Sequence, residues 1–115
     1  MNLNIKKVKI ITTIPPENVE KLRKAICEEG AGDIGNYNYC SMSTKCIGTF
    51  EPNEDANPYI GEKNKLKFVE EEKLEVVCNV ENVKKVILKL REVHPYEEPA
   101  IDIIPLLEET DFQWL

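Results

Sequence analysis

The sequence predicts an α+β fold: a ferredoxin-like βαββαβ sandwich, in which a four-stranded antiparallel sheet carries two helices on one face. Three observations predict it. A strand leads into an amphipathic helix twice, the two copies are related by one constant offset, and another strand-like segment follows each helix. Glu17-Asn18-Val19-Glu20-Lys21 returns as Glu81-Asn82-Val83-Lys84-Lys85, an offset of 64 residues. At that offset Ile10 matches Leu74, Thr12 matches Val76, Leu22 matches Val86 and Ile26 matches Leu90.

The elements follow in order. Val8, Ile10 and Thr12 alternate with Lys7, Lys9 and Ile11, the period of a strand. Pro15-Pro16 ends that strand and opens a helix, where a missing N–H costs nothing. Val19, Leu22 and Ile26 form one apolar stripe, and Gly30 stops the helix. Asn36 to Met42 and Cys46 to Phe50, with Ser43-Thr44-Lys45 between them, read as a hairpin. Its first strand points Tyr37 and Tyr39 the same way and lets Cys40 face Cys46 across the pair. Glu51 to Lys65, rich in proline, asparagine and charge, is an elaborated loop. A long strand runs from Leu66 to Cys78, with Glu70-Glu71-Glu72 as a bend or solvated edge in its middle. The second helix spans Glu81 to Val93, with Val83, Val86, Ile87 and Leu90 on one face, and His94-Pro95 ends it. Ile101 to Ile104 is the last strand, before Pro105, and the tail from Asp111 is aromatic, with Phe112 and Trp114.

At 115 residues the chain is one domain's worth, so residues 1–115 are expected to share a single core. Fifteen basic against twenty-one acidic side chains give a net charge of −6, and no cluster of four or more Lys/Arg occurs. That field opposes a phosphate backbone, so no nucleic-acid partner is expected. No apolar run approaches the roughly 20 residues that span a bilayer, and Met1 to Ile11 lacks the pattern of a secretory signal. The expectation is a cytoplasmic protein without a membrane partner. Cys27, Cys40, Cys46 and Cys78 are irregularly spaced with no C-x-x-C, which fits small apolar packers in a reducing compartment.

Two helices cover one side of such a sheet, and the other must meet water, a ligand or a partner. With the aromatic tail, this points to self-association of closed symmetry.

Two motifs carry polar chemistry. Gly30-Ala31-Gly32-Asp33-Ile34-Gly35 matches G-x-G-x-x-G, yet it follows a helix and precedes a strand, the reverse of a dinucleotide fingerprint. It reads as a helix cap and tight turn whose glycines let a ligand approach the backbone. His94-Pro95-Tyr96-Glu97-Glu98-Pro99 holds the single histidine, a phenol and two carboxylates. One reading is a rigid helix-to-strand corner with the histidine capping carbonyls. The other is a ligand or divalent-metal site built on His94, Glu97 and Glu98, which needs further ligands from elsewhere. No serine or cysteine has a matching base, so no catalytic residue is assigned and an enzyme is not expected.

Four ordered segments carry a resemblance: Gly30 to Tyr37, Gly48-Thr49-Phe50-x-Pro52, Asn57-Pro58-Tyr59-Ile60-Gly61 and His94 to Pro99. Together they resemble the NIF-three family, as a stand-alone version of the CutA/PII-like domain inserted in its long members. The His-Pro-Tyr-Glu-x-Pro element also resembles the divalent-cation-tolerance protein CutA. The resemblance implies a ferredoxin-like fold and a homotrimer, and a CutA-type metal site would fall on His94 with Glu97 or Glu98. The two-metal centre of the long members lies in their flanking domains and has no counterpart in this chain. The resulting expectation is a non-enzymatic module that binds a small-molecule ligand between subunits. The cleft would be rimmed by Gly30, Gly32, Gly35 and Asn36, by the loop with Tyr59, and by His94, Tyr96, Glu97 and Glu98. The alternative is a divalent metal-binding protein of the CutA kind.

Overall fold

The computed structural model describes residues 4–112. The chain runs β1 (Lys7–Ile14), α1 (Val19–Glu28), β2 (Ser41–Phe50), β3 (Lys67–Asn79), α2 (Val83–Val93) and β4 (Ile101–Leu106). The strands form one sheet in the order β2-β3-β1-β4 with every pairing antiparallel, the ferredoxin-like sandwich that the duplicated pattern predicts.

The duplication is visible in three dimensions. Each helix is entered through a single 3-10 turn, Pro16–Asn18 in one half and Val80–Asn82 in the other. Asn18 and Asn82 then hold nearly the same backbone angles, φ −104°, ψ −6° and φ −100°, ψ −6°. On the sheet Ile11 faces Glu75, 64 residues apart, while Ile10 faces Val76 and Thr12 faces Leu74. A local twofold therefore passes between Ile11 and Glu75 and exchanges the two halves.

The core lies between the helices and one sheet face. Val8, Ile10, Ile14, Leu74, Val76 and Cys78 from the strands meet Leu22, Ile26, Val86 and Leu90 from the helices, all buried. Truncating one of these leucines or isoleucines to alanine costs about 2–5 kcal/mol. Arg23 of α1 spans the edge of this layer, donating to Ser41 Oγ at 2.6 Å and Ser43 Oγ at 3.1 Å on β2.

α1 ends in a Schellman arrangement. The Ala31 amide donates to Ile26 O and the Gly30 amide to Cys27 O, each at 3.1 Å, with Gly30 at φ +105°. Ile34 and Tyr37 then exchange two backbone hydrogen bonds of 2.9 Å around Gly35-Asn36, a tight turn with glycine at its first central position. The G-x-G-x-x-G stretch is thus the cap and turn that its order along the chain implies.

Several expectations are corrected. There is no hairpin at Ser43-Thr44-Lys45, because β2 runs unbroken from Ser41 to Phe50 and pairs along its whole length with β3. Those three residues contain no glycine, asparagine or proline to turn the chain. Tyr37 and Tyr39 consequently lie in the turn segment before β2, Tyr39 at φ +61°, and do not line a strand face. Cys40 and Cys46 sit along one strand path and cannot face each other. Glu70-Glu71-Glu72 is no bend: all three lie inside the 13-residue β3, opposite Ile47, Cys46 and Lys45. β4 continues through Pro105, which an edge strand tolerates. Of the aromatic tail, Phe112 ends a 3-10 turn at Glu109–Phe112, and Trp114 lies outside the described residues.

Among the described residues no helix is long and apolar enough to cross a membrane.

Candidate functional site

β2 and β3 outlast the rest of the sheet. β1 stops at Ile14, opposite Glu72, while Glu71 to Lys67 continue paired with Cys46 to Phe50. This two-stranded ribbon overhangs the end of β1, and the loop of residues 51–66 folds back from its tip. The corner after α2, residues 94–100, lies across from it. Ribbon, loop and corner enclose a cleft of about 880 Å³, with Thr13 and Lys73 on its sheet side and Phe50, Pro52, Tyr59 and Tyr96 among its walls.

The corner is built from hydrogen bonds to the only histidine. The Tyr96 amide donates to His94 Nδ1 at 3.1 Å, so that nitrogen carries a lone pair and the proton sits on Nε2, which lies 2.8 Å from the Thr13 carbonyl. Both ring nitrogens are occupied and the residue is buried. Burial lowers the His94 pKa below 6.5, against smaller upward pulls from the Thr13 carbonyl and the Glu71 charge. His94 is a neutral bracket between the end of α2 and the end of β1.

Tyr96 carries the corner to the sheet. Its hydroxyl donates to Glu71 Oε2 at 2.7 Å, and its ring packs 4.8 Å from His94 and 6.2 Å from Tyr59. Burial and the hydrogen bond to Glu71 push the phenol's pKa upward, so Tyr96 stays a donor. Glu71 is 6% exposed, and across the ribbon Gly48 makes room for it: a Cβ at position 48 would overlap the Glu71 carboxylate. Glu97 fixes the loop, accepting the Asn57 amide at 3.1 Å on Oε1 and 3.3 Å on Oε2.

The site residues read from the sequence thus divide. Tyr59, Tyr96, Glu97 and Glu98 converge on the cleft, and His94 stands behind Tyr96. Gly30, Gly32, Gly35 and Asn36 lie elsewhere. Gly32 bonds to Val77 and Cys40, next to the start of β2, about 23 Å along that strand from Gly48. A side chain at Gly30 would strike Asn82, and Gly35 has nothing within 4 Å. The residues missed were Glu71, Gly48, Thr13 and Lys73. A glycine inside a strand marks a close approach by another group, and Gly48 was the available sign of Glu71.

The metal set of His94, Glu97 and Glu98 does not fit a cation in this geometry. Neither histidine nitrogen offers a free lone pair, and the Glu97 carboxylate is engaged by the Asn57 amide. Among the described residues, no group of three or more His, Cys, Asp or Glu side chains is placed to hold a metal ion.

The fold is that of a CutA/PII-like domain. The CutA1 of Shewanella sp. SIB1 superposes with a TM-score of 0.69 at 16% identity, covering 97% of this chain and 94% of that one. More particularly, the chain is similar to one segment of NIF-three family proteins. A Bacillus cereus protein related to NIF3 superposes with a TM-score of 0.80 at 34% identity, over 93% of this chain and 27% of that one. Proteins named GTP cyclohydrolase 1 type 2 homolog are 43% identical over 101 residues in Halalkalibacterium halodurans and 42% identical over 98 residues in Bacillus subtilis. Those matches take in 88% and 85% of this chain, which spans about a quarter of its curated relatives, 27% and 26% of their lengths. No family model matches the chain.

Proposed function

We propose that this chain is a non-enzymatic CutA/PII-like module that holds a small molecule in the cleft between ribbon, loop and corner, and does so as a homotrimer in the cytoplasm. The cleft carries the reading: about 880 Å³ suits a metabolite-sized guest, and its rim is fixed by Tyr96 on Glu71 and by Glu97 on Asn57. His94 and three of the four cysteines are poorly placed for covalent or acid–base work. His94 is buried with both nitrogens engaged. Burial raises the pKa values of the Cys27, Cys46 and Cys78 thiols, that of Cys78 to about 11. The cyclohydrolase of the relatives' name therefore finds no nucleophile–base pair among these residues.

The trimer is supported by the uncovered sheet face. Met42, 61% exposed, and Ile104, 44% exposed, stand there with the half-buried Ile11 and Val77, beside the 3.9 Å Lys9–Glu75 pair. Apolar side chains mixed with ion pairs suit contact between copies. A neighbouring copy is also the only route by which Gly32, Gly35 and Asn36 could reach a ligand in this cleft. The cytoplasm is supported by four free cysteines.

Thermal unfolding against nucleotides, small anions and divalent metals tests the binding role. A ligand at a hundredfold excess over its Kd adds about 2.7 kcal/mol, a rise of several degrees for a domain of this size. No stabilisation by any compound contradicts the reading. Light scattering tests the trimer, and a monomer at micromolar concentration removes it.

A further inference from the structure

We infer that the guest of this cleft is an organic cation, a protonated amine or guanidinium on an apolar or aromatic body. The inference rests on the cleft being a small-molecule site and adds the chemical class.

The lining has a charge bias that the chain's overall balance does not require. Glu51, Asp55, Glu71, Glu97 and Glu98 face it, with Lys73 the single cation. A concave, partly dry space lined this way concentrates positive guests and repels anions. Charge alone would be a solvated acidic surface, but Glu71 is different. It is 6% exposed, deep in the wall, and only its Oε2 is used, by the Tyr96 hydroxyl. Its Oε1 lies on the Gly48 side and receives no hydrogen bond among the described residues. Glu71 is mostly buried, yet its Oε1 is not sealed off from solvent, so it is an open acceptor that an N–H⁺ group can meet with a charge-assisted hydrogen bond.

The remaining walls choose the guest's body. Phe50, Tyr59 and Tyr96 line the same space, and Tyr59 and Tyr96 stand 6.2 Å apart with their rings tilted at 48°. Aromatic faces attract a cation and pack against an apolar or aromatic group. Tyr59 remains 55% exposed and open to contact. A bare inorganic cation would leave these rings unused, and a quaternary ammonium could not donate to Glu71 Oε1.

Calorimetric titration of the full chain with phenethylamine, 2-phenylethanol and 3-phenylpropionate at pH 7 tests the class with three probes of nearly equal shape. For a guest of this size the expected Kd for phenethylamine is about 0.1–1 mM, with the alcohol and the acid at least about tenfold weaker. Glu71→Gln should weaken the amine by about tenfold while retaining an acceptor for Tyr96. Should that variant fail to fold, Asp55→Asn and Tyr59→Ala, at exposed positions, should each weaken it severalfold. Equal or tighter binding of the alcohol or the acid, lost in Tyr59→Ala, overturns the cation but keeps the cleft as a site. Binding of none of the three overturns the cation, and the cleft itself then rests on the nucleotide, anion and metal panel.

Discussion

Tyr96 donates its hydroxyl to Glu71 across 2.7 Å, and the two residues come from segments that share no secondary structure. One lies in the turn after α2 and the other in the overhanging part of β3, so this bond ties the sequence's densest polar motif to the ribbon. Around it His94 bridges to Thr13, Gly48 clears space and Glu97 holds the loop.

Tyr96→Phe leaves a buried carboxylate without its donor. Unfolding in urea should show a loss of about 1–3 kcal/mol. A double-mutant cycle with Glu71→Gln should recover part of that loss, since the amide carries no charge to strand. Additive losses would separate the two residues energetically.

Gly48→Ala places a methyl group where the Glu71 carboxylate lies. Glu71 is tethered and buried, so the clash is expected to cost about 1–3 kcal/mol and to weaken the Tyr96 bond. A variant as stable as the parent would mean that Glu71 relocates freely.

His94 makes stability depend on pH. Its folded pKa lies below the 6.5 of the free side chain, so between those values the unfolded chain binds a proton that the folded one refuses. Its contribution is complete above pH 6.5 and is lost as the pH falls through the folded value. The slope should not exceed about 1.4 kcal/mol per pH unit. With a single histidine in the chain, His94→Gln should flatten the unfolding midpoint between pH 5.5 and 7, with Gln Nε2 able to donate to Thr13. An unchanged slope would place its origin elsewhere.

The glycines of the first turn should separate by their surroundings. Gly32 (φ +82°) and Gly35 (φ +55°) both hold angles that disfavour a side chain. A Cβ on Gly32 would come within 2.9 Å of the Cys40 carbonyl oxygen, whereas one on Gly35 meets nothing. Thermal unfolding should therefore find Gly32→Ala markedly less stable than Gly35→Ala, which carries only the backbone cost of about 1–2 kcal/mol.

The halves of the fold were legible because the duplication repeats its apolar spacing: Leu22 and Ile26 recur as Val86 and Leu90, and all four are buried. The Gly30 stop was legible from glycine's own freedom. What was not legible depended on partners far along the chain. Ser43-Thr44-Lys45 reads as a turn on polarity alone; the lack of glycine, asparagine or proline argues against one, and β3 lying alongside settles it. Glu71 looked like a solvated charge within a run of three because its burial comes from Tyr96, 25 residues away, and from the missing side chain at Gly48. Sequence alone leaves His94 open to both readings, bracket and ligand, and the Thr13 carbonyl, 81 residues away, takes its second nitrogen.

The central claim is that this pinned cleft receives a small molecule. Amide chemical-shift mapping with whichever compound stabilises the chain reads it directly. Saturable shifts at Gly48, Asn57, Tyr59 and Tyr96 are the predicted result. Saturable binding that leaves those four amides unmoved would contradict it.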